Sequence, residues 1–208
     1  MRYPAAETEA RHARILAEAA RLFRAHGFGG VNVAEVMQAA GLTHGAFYAH
    51  FDSKDALAAA ATEQAMGEML THLERARGAN DAEAAFVAGY LDPAHRDAPG
   101  SGCAIAALGP EVARHPGARG PFTAALRRVL DAMADTFARR PAGHAARRDH
   151  ARERQHALGV LATLVGALVL ARAVDDPALS DEVLAAARRV LAGDASRRRP
   201  PADPRPDI

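Results

Sequence analysis

Val33-Ala34-Glu35-Val36-Met37-Gln38-Ala39-Ala40-Gly41-Leu42-Thr43-His44-Gly45-Ala46-Phe47-Tyr48-Ala49-His50-Phe51-Asp52-Ser53-Lys54-Asp55-Ala56-Leu57 is the stretch that decides the fold. Asn32 just before it has the chemistry of an N-cap, and Glu35 at N3 completes a capping box around Val33, Val36, Met37 and Ala40. Gly41 ends that helix, because glycine enters the left-handed conformation without a β-carbon penalty. Thr43 restarts the chain as the next N-cap, with Leu42 placed to staple onto Phe47. Phe47 and Phe51, four apart, share one face of this second helix. Asp52-Ser53 interrupts it, and Ser53 caps a longer helix carrying Leu57, Ala61, Leu70 and Leu73. Upstream, Ile15, Ala19, Leu22 and Phe23 recur at helical spacing until Gly27 stops them.

A helix, a short glycine-containing turn and a second short helix form the helix-turn-helix pattern. Its second helix must present small or polar residues to a DNA groove about 12 Å wide while an apolar face anchors it. Phe47 and Phe51 supply the anchor. Thr43, His44, Gly45, Ala46, Tyr48, Ala49 and His50 remain to face outward. From spacing alone an ordinary three-helix cluster stays open as the alternative.

The rest of the composition bounds the class. The chain has 208 residues, of which 49% are hydrophobic and 25% charged, a globular balance. Alanine, the best helix former, supplies about a quarter of it, and aromatics only 5%. An all-β chain is excluded. The single cysteine, Cys103, cannot form an internal disulfide. The start shows no apolar signal segment. The longest apolar run, Ala157 to Ala171, falls short of the roughly 18–20 residues expected of a spanning helix. A cytoplasmic protein is expected. Net charge is +1, which argues against a generic polyanion binder. Within residues 1–55, Arg2, Arg11, Arg14, Arg21, Arg24 and Lys54 are balanced by six carboxylates, so few ion-pair contacts to DNA and a shallow salt dependence are expected.

The quoted stretch resembles the N-terminal signature of TetR/AcrR-family transcriptional regulators. Phe47-Tyr48-Ala49-His50-Phe51 and the Ser53-Lys54-Asp55-Ala56-Leu57 helix start are its most specific parts, and the match spans roughly residues 9–57. The resemblance implies an all-α protein of about nine helices. Residues 1–52 would be a three-helix DNA-binding domain, residues 53–193 a helical ligand-binding and dimerisation domain, and residues 194–208 a disordered tail. It implies a homodimeric repressor that a small-molecule effector releases from a palindromic DNA operator, with half-sites roughly 34–36 Å apart or a multiple of that. Thr43, His44 and Ala46 would face the groove, and Tyr48, His50 and Lys54 would meet phosphates. A tyrosine hydroxyl and an imidazole N–H can both donate to phosphate, and Lys54 sits beside the first amides of a helix.

In the remaining two thirds, helical patterns cover Asp81–Leu91, Cys103–Arg114, Pro121–Arg139, about His150–Val174 and Ser180–Ala192. A Pro- and Gly-rich loop from Leu91 to Gly102 separates the first two. The helix around Leu158–Val169 is apolar nearly all round and must be buried from more than one direction. Ser180 would cap a last helix that Gly193 stops. The dimer seam is expected at Leu161, Leu164, Val165, Leu168, Val183, Leu184, Ala187, Val190 and Leu191. Met66, Met69, Phe86, Tyr90, Ile105, Leu108, Phe122, Leu126, Met133 and Phe137 are candidates for an apolar ligand pocket, each also able to serve as plain core. Residues 166–180 also resemble a segment common in one branch of the family.

Cys103 follows Gly100-Ser101-Gly102 at an expected helix N-terminus, where dipole and amides lower a thiol pKa. A thiol-based repressor sensing electrophiles or oxidants is therefore the alternative function, against the reading of Cys103 as a small buried hydrophobe. His144, His150 and His156 lack a zinc-ligand arrangement and read as solvated surface. No cofactor or metal site is expected. A helical enzyme is the remote rival, since the chain shows no GxSxG, Walker loop or His-Glu-x-x-His motif.

Overall fold

A Schellman turn sits where the sequence demands one. In this computed structural model Gly41 takes φ 70°, its N–H donates to Gln38 O at 3.0 Å, and the Leu42 N–H donates to Met37 O at 2.8 Å. The structure describes residues 5–138 and 150–197. Among them are nine α-helices and no strand: α1 (Ala5–His26), α2 (Val33–Ala39), α3 (Lys54–Arg77), α4 (Ala82–Tyr90), α5 (Pro93–Asp97), α6 (Ala104–Val112), α7 (Pro116–Phe137), α8 (His150–Ala173) and α9 (Pro177–Arg197). Two short 3-10 helices, His44–Ala49 and Pro99–Ser101, complete the order.

The caps explain these boundaries. The Glu35 N–H donates to Asn32 Oδ1 at 3.0 Å and the Asn32 N–H donates to Glu35 Oε2 at 2.7 Å, closing the capping box. Ser53 Oγ accepts from Ala56 N–H and Asp81 Oδ1 from Ala84 N–H, both at 3.0 Å. Gly27 ends α1 with φ 75°, its N–H returning to Phe23 O at 2.8 Å.

Ile15, Phe23, Val36, Met37, Phe47 and Leu57 are almost wholly enclosed and tie α1, α2 and the first 3-10 helix to the start of α3. Each such side chain contributes roughly 1.5–3 kcal/mol relative to leaving it in water. From there α3 runs on to pack along α7, and α7, α8 and α9 build the larger helical layer. One continuous helix therefore carries both the anchor of the N-terminal bundle and a wall of the C-terminal one.

Several sequence expectations are corrected here. α7 starts at Pro116 rather than Pro121, because proline at the first helical position loses no hydrogen bond. α9 starts at Pro177 rather than at a Ser180 cap. Asp176 Oδ1 accepts from the Ala178 N–H at 2.9 Å, and the Ser180 hydroxyl donates instead to Ala171 O at 2.7 Å. Gly193 does not stop α9, which continues to Arg197, so the expected tail loses its first four residues to helix. The expected break at residues 140–143, His144 and residues 198–208 lie outside the described residues. The loop before Cys103 contains α5, with Asp92 capping and Pro93 at the first position.

α8 is longer than its apolar run. Its best 18-residue window has a mean hydropathy of 1.7, enough by length and composition to cross a membrane, contrary to the estimate from the run alone. Ala157, Val160, Leu161, Leu164 and Leu168 face the chain's own interior, while Leu158, Val169 and Leu170 are exposed.

Candidate nucleic-acid interface and inner cavity

The helix expected from Thr43 is a 3-10 helix over His44–Ala49, closed by Ala46 N–H to Thr43 O at 3.0 Å and His50 N–H to Phe47 O at 2.9 Å. Gly45 is a poor α-helix former, and a short segment between two caps favours the tighter winding. Thr43 holds the cap position through its extended backbone, yet its hydroxyl makes no cap bond.

Phe47 is 1% exposed and stacks on Phe51 with ring centres 5.8 Å apart, as the anchor reading expects. The adjacent Tyr48 is 69% exposed, its ring edge against Phe47 at 5.2 Å and His44 at 6.3 Å. Thr43 and His44 are exposed with it. Ala46 and His50 are half-buried, and Ala46 leans on the core, so these two turn partly away from solvent. Lys54 opens α3 beside the Ser53 cap and is also half-buried.

His12 of α1 belongs to this cluster although sequence spacing did not single it out. Its ring stacks on Phe51 at 4.7 Å and lies 5.8 Å from His50. Burial, then His12 and Arg11, lower the His50 pKa. The imidazole is thereby held toward its neutral, N–H-donating form. Only the helical phase of α1 against the turn reveals His12, and that phase is a tertiary property.

A second feature is a cavity of about 450 Å³ between α3, α4 and the segment leading into α6. Of the expected pocket residues Met66, Met69, Phe86 and Tyr90 line it. Ile105, Leu108, Phe122, Leu126, Met133 and Phe137 do not, and pack elsewhere in the core or against it. Glu68, His72, Arg75, His95 and Cys103 line it without having been expected to. The glycines and proline before Cys103, legible only as loop, are what fold this segment back onto the cavity.

His95 is locked in place. Its Nδ1–H donates to Tyr90 O at 2.5 Å and its Nε2 accepts the Cys103 N–H at 3.0 Å, a pairing that requires the neutral ring. Burial lowers its pKa accordingly. Cys103 is buried, and that burial pushes the thiol up, outweighing Tyr90 and the amides of Ala106 and Ile105. The lowered thiol pKa expected at this helix start is therefore corrected: desolvation exceeds the dipole.

The cavity wall reaches the N-terminal bundle directly. Arg24 of α1 donates to Glu68 Oε2 at 2.5 Å and to Gly102 O at 3.3 Å, and both partners line the cavity. Beside it, the Phe28 N–H donates to the Glu111 carboxylate of α6, and the His115 ring meets Phe28 edge-on at 5.1 Å.

The expected dimer residues separate into two groups. Leu161, Leu164, Leu168, Leu184, Ala187 and Leu191 lie inside the chain's own core, where a partner cannot reach them. Val165 and Val183 are half-buried and Val190 is 61% exposed. Because α8 is apolar all round, its periodicity could not say which face turned inward. The histidine stretch also differs from a solvated surface: His156 is largely covered and lies 2.9 Å from the Glu83 carboxylate, whereas His150 is exposed.

The family model described as bacterial regulatory proteins, tetR family, matches residues 15–61. Among solved structures, a TetR-family transcriptional regulator from Cytophaga hutchinsonii superposes with a TM-score of 0.69 at 21% identity, covering 92% of this chain and 98% of its own. A TetR transcriptional regulator from Chloroflexus aurantiacus gives 0.66 at 25% identity, covering 92% and 96%. NemR of E. coli in its reduced form gives 0.68 at 21% identity, covering 88% and 96%. Among curated proteins none matches the chain. The chain thus carries the tetR-family signature over its helix-turn-helix, and along nearly its whole length it has the fold of TetR-family transcriptional regulators.

Proposed function

We propose that the protein is a cytoplasmic, non-enzymatic repressor that binds a palindromic operator as a homodimer and is released by a small apolar effector in the inner cavity. One observation carries the DNA face. Two adjacent aromatic residues divide their roles, Phe47 enclosed as anchor and Tyr48 presented to solvent. Thr43, His44 and Ala46 face the groove, while Tyr48, His50 and Lys54 meet phosphates; the free Thr43 hydroxyl and the Ser53-capped amides support that division.

The effector acts through the wall it shares with α1. An occupant that shifts Glu68 or the Gly102 peptide moves the two acceptors of Arg24, and α1 carries that shift into the N-terminal bundle. Repression is lifted because the effector binds the non-DNA state more tightly, a 100-fold preference amounting to about 2.7 kcal/mol of coupling. A thiol-sensing version would use Cys103, but a buried, pushed-up thiol favours the reversible occupant.

A gel shift with the DNA upstream of the protein's own gene tests the assignment. Tyr48→Ala and Lys54→Ala each weaken binding several-fold while helicity is retained. Wild-type affinity in both variants would remove the assigned face.

A further inference from the structure

The charges around the cavity do not cancel. Glu68, the one carboxylate among its described lining residues, is paired with Arg24 at 2.5 Å. His95 adds no charge, since its neutral ring is bonded at both nitrogens. Arg75 and His72 are in a different position. They stand three residues apart on α3, on the face that Glu68 occupies one turn earlier. Both line the cavity and are exposed, and neither makes a hydrogen bond or ion pair among the described residues. Arg77, in the same last turn of α3, is by contrast bonded to Thr136 Oγ1 at 3.2 Å. Across the cavity, Arg172 donates to two carbonyl oxygens, His95 O at 2.8 Å and Arg96 O at 2.9 Å, which leave its charge unneutralised. Its positive field reaches Tyr90, His95 and Cys103, all lining residues, and at His95 it outweighs the carboxylate of Asp92.

We propose that the effector is a mainly apolar carboxylate, its body against Met66, Met69 and Phe86 and its carboxylate held at the rim by the Arg75 guanidinium and the His72 ring. This rests on the cavity being the effector site. A guanidinium offers a planar fork that matches the two oxygens of a carboxylate, and an imidazole N–H adds a further donor. An ammonium finds no unpaired carboxylate in the lining and meets the field of two guanidiniums instead. The apolar body supplies most of the affinity by leaving water, while the pair at the wet rim selects the sign of the charge.

The test uses phenylalkanoates of increasing length, each paired with the primary amide and the amine of the same length. They are titrated calorimetrically into the full chain and into its Arg75→Gln and His72→Gln variants. These two side chains are exposed, so both variants keep the wild-type melting point. The best-fitting carboxylate binds the wild type more tightly than its amide or amine. It loses roughly 3- to 10-fold in affinity on Arg75→Gln and less on His72→Gln, whereas the amide is unchanged. Methyl-labelled methionine NMR places the ligand: the Met66 and Met69 signals shift, and those of Met37 and Met133, which do not line the cavity, stay. If amide and carboxylate bind alike, if the amine binds tightest, or if Arg75→Gln leaves the carboxylate unaffected, the anion assignment is overturned and the cavity reading stands. If nothing in the series binds, or the Met66 and Met69 signals do not move, the cavity reading fails and takes the anion assignment with it.

Discussion

Arg24 of α1 and Glu68 of α3 meet at 2.5 Å, and the pair is lopsided: the Arg24 side chain is 4% exposed and that of Glu68 41%. An ion pair of this kind punishes the loss of its two members unequally. Removing Glu68 strands a buried guanidinium, whereas removing Arg24 leaves a carboxylate that water already reaches. Glu68→Ala therefore destabilises the protein by about 3 kcal/mol, and Arg24→Met by clearly less. Urea melts of the two variants check the order. Because Arg24 links α1 to the cavity wall, Arg24→Met also retains DNA binding but responds less to any effector. That second effect is read by titrating effector into the preformed DNA complex.

Acid acts on the cavity through His95. Its neutral form is the one that donates from Nδ1 and accepts at Nε2, and its pKa is lowered below the ordinary 6.5. The unfolded chain thus takes up the proton first, so this group's contribution to stability is full above pH 6.5 and falls as pH drops through that value toward the folded pKa. Urea midpoints measured between about pH 7 and 5 fall more steeply for the wild type than for His95→Asn, which cannot titrate. His50, also lowered, titrates in both proteins and cancels from the comparison.

Leu158, Val165 and Val169 form one stripe on the outer side of α8, and Val190 of α9 is exposed beside the groove that the two helices form. Exposed apolar stripes of this kind mark association surfaces. Leu158→Glu combined with Val169→Glu yields a helical monomer by sedimentation velocity, with DNA affinity reduced because one half-site is lost. The enclosed Leu164 and Leu168 give a different outcome: a charge there unfolds the chain rather than separating two copies.

The local punctuation was legible because it depends on neighbours in sequence. Asn32 with Glu35, Ser53, Gly27 and Gly41 all act within a few residues of themselves, and each took its expected role. Residues 43–51 kept their anchor and their exposed tyrosine even though the winding became 3-10. The cavity was only partly legible. Met66, Met69, Phe86 and Tyr90 are large apolar residues on two adjacent helices, but Glu68, His95 and Cys103 join them through a loop whose path depends on Arg172 and Arg24. The expected dimer stripe was only partly legible, for a third reason. When a helix is apolar on every side, sequence identifies burial but not the partner that provides it, and Leu161, Leu164 and Leu168 proved to be satisfied by their own chain.

On the proposed function, a near-neutral chain reads a two-fold symmetric DNA site through a few placed groups rather than bulk charge. Footprinting on the DNA upstream of the protein's own gene tests it most directly. The expected result is two protected half-sites related by two-fold symmetry, about one helical turn or a multiple apart, and abolished by Tyr48→Ala with Lys54→Ala. A footprint without symmetry, or one that the double variant leaves intact, would contradict the account.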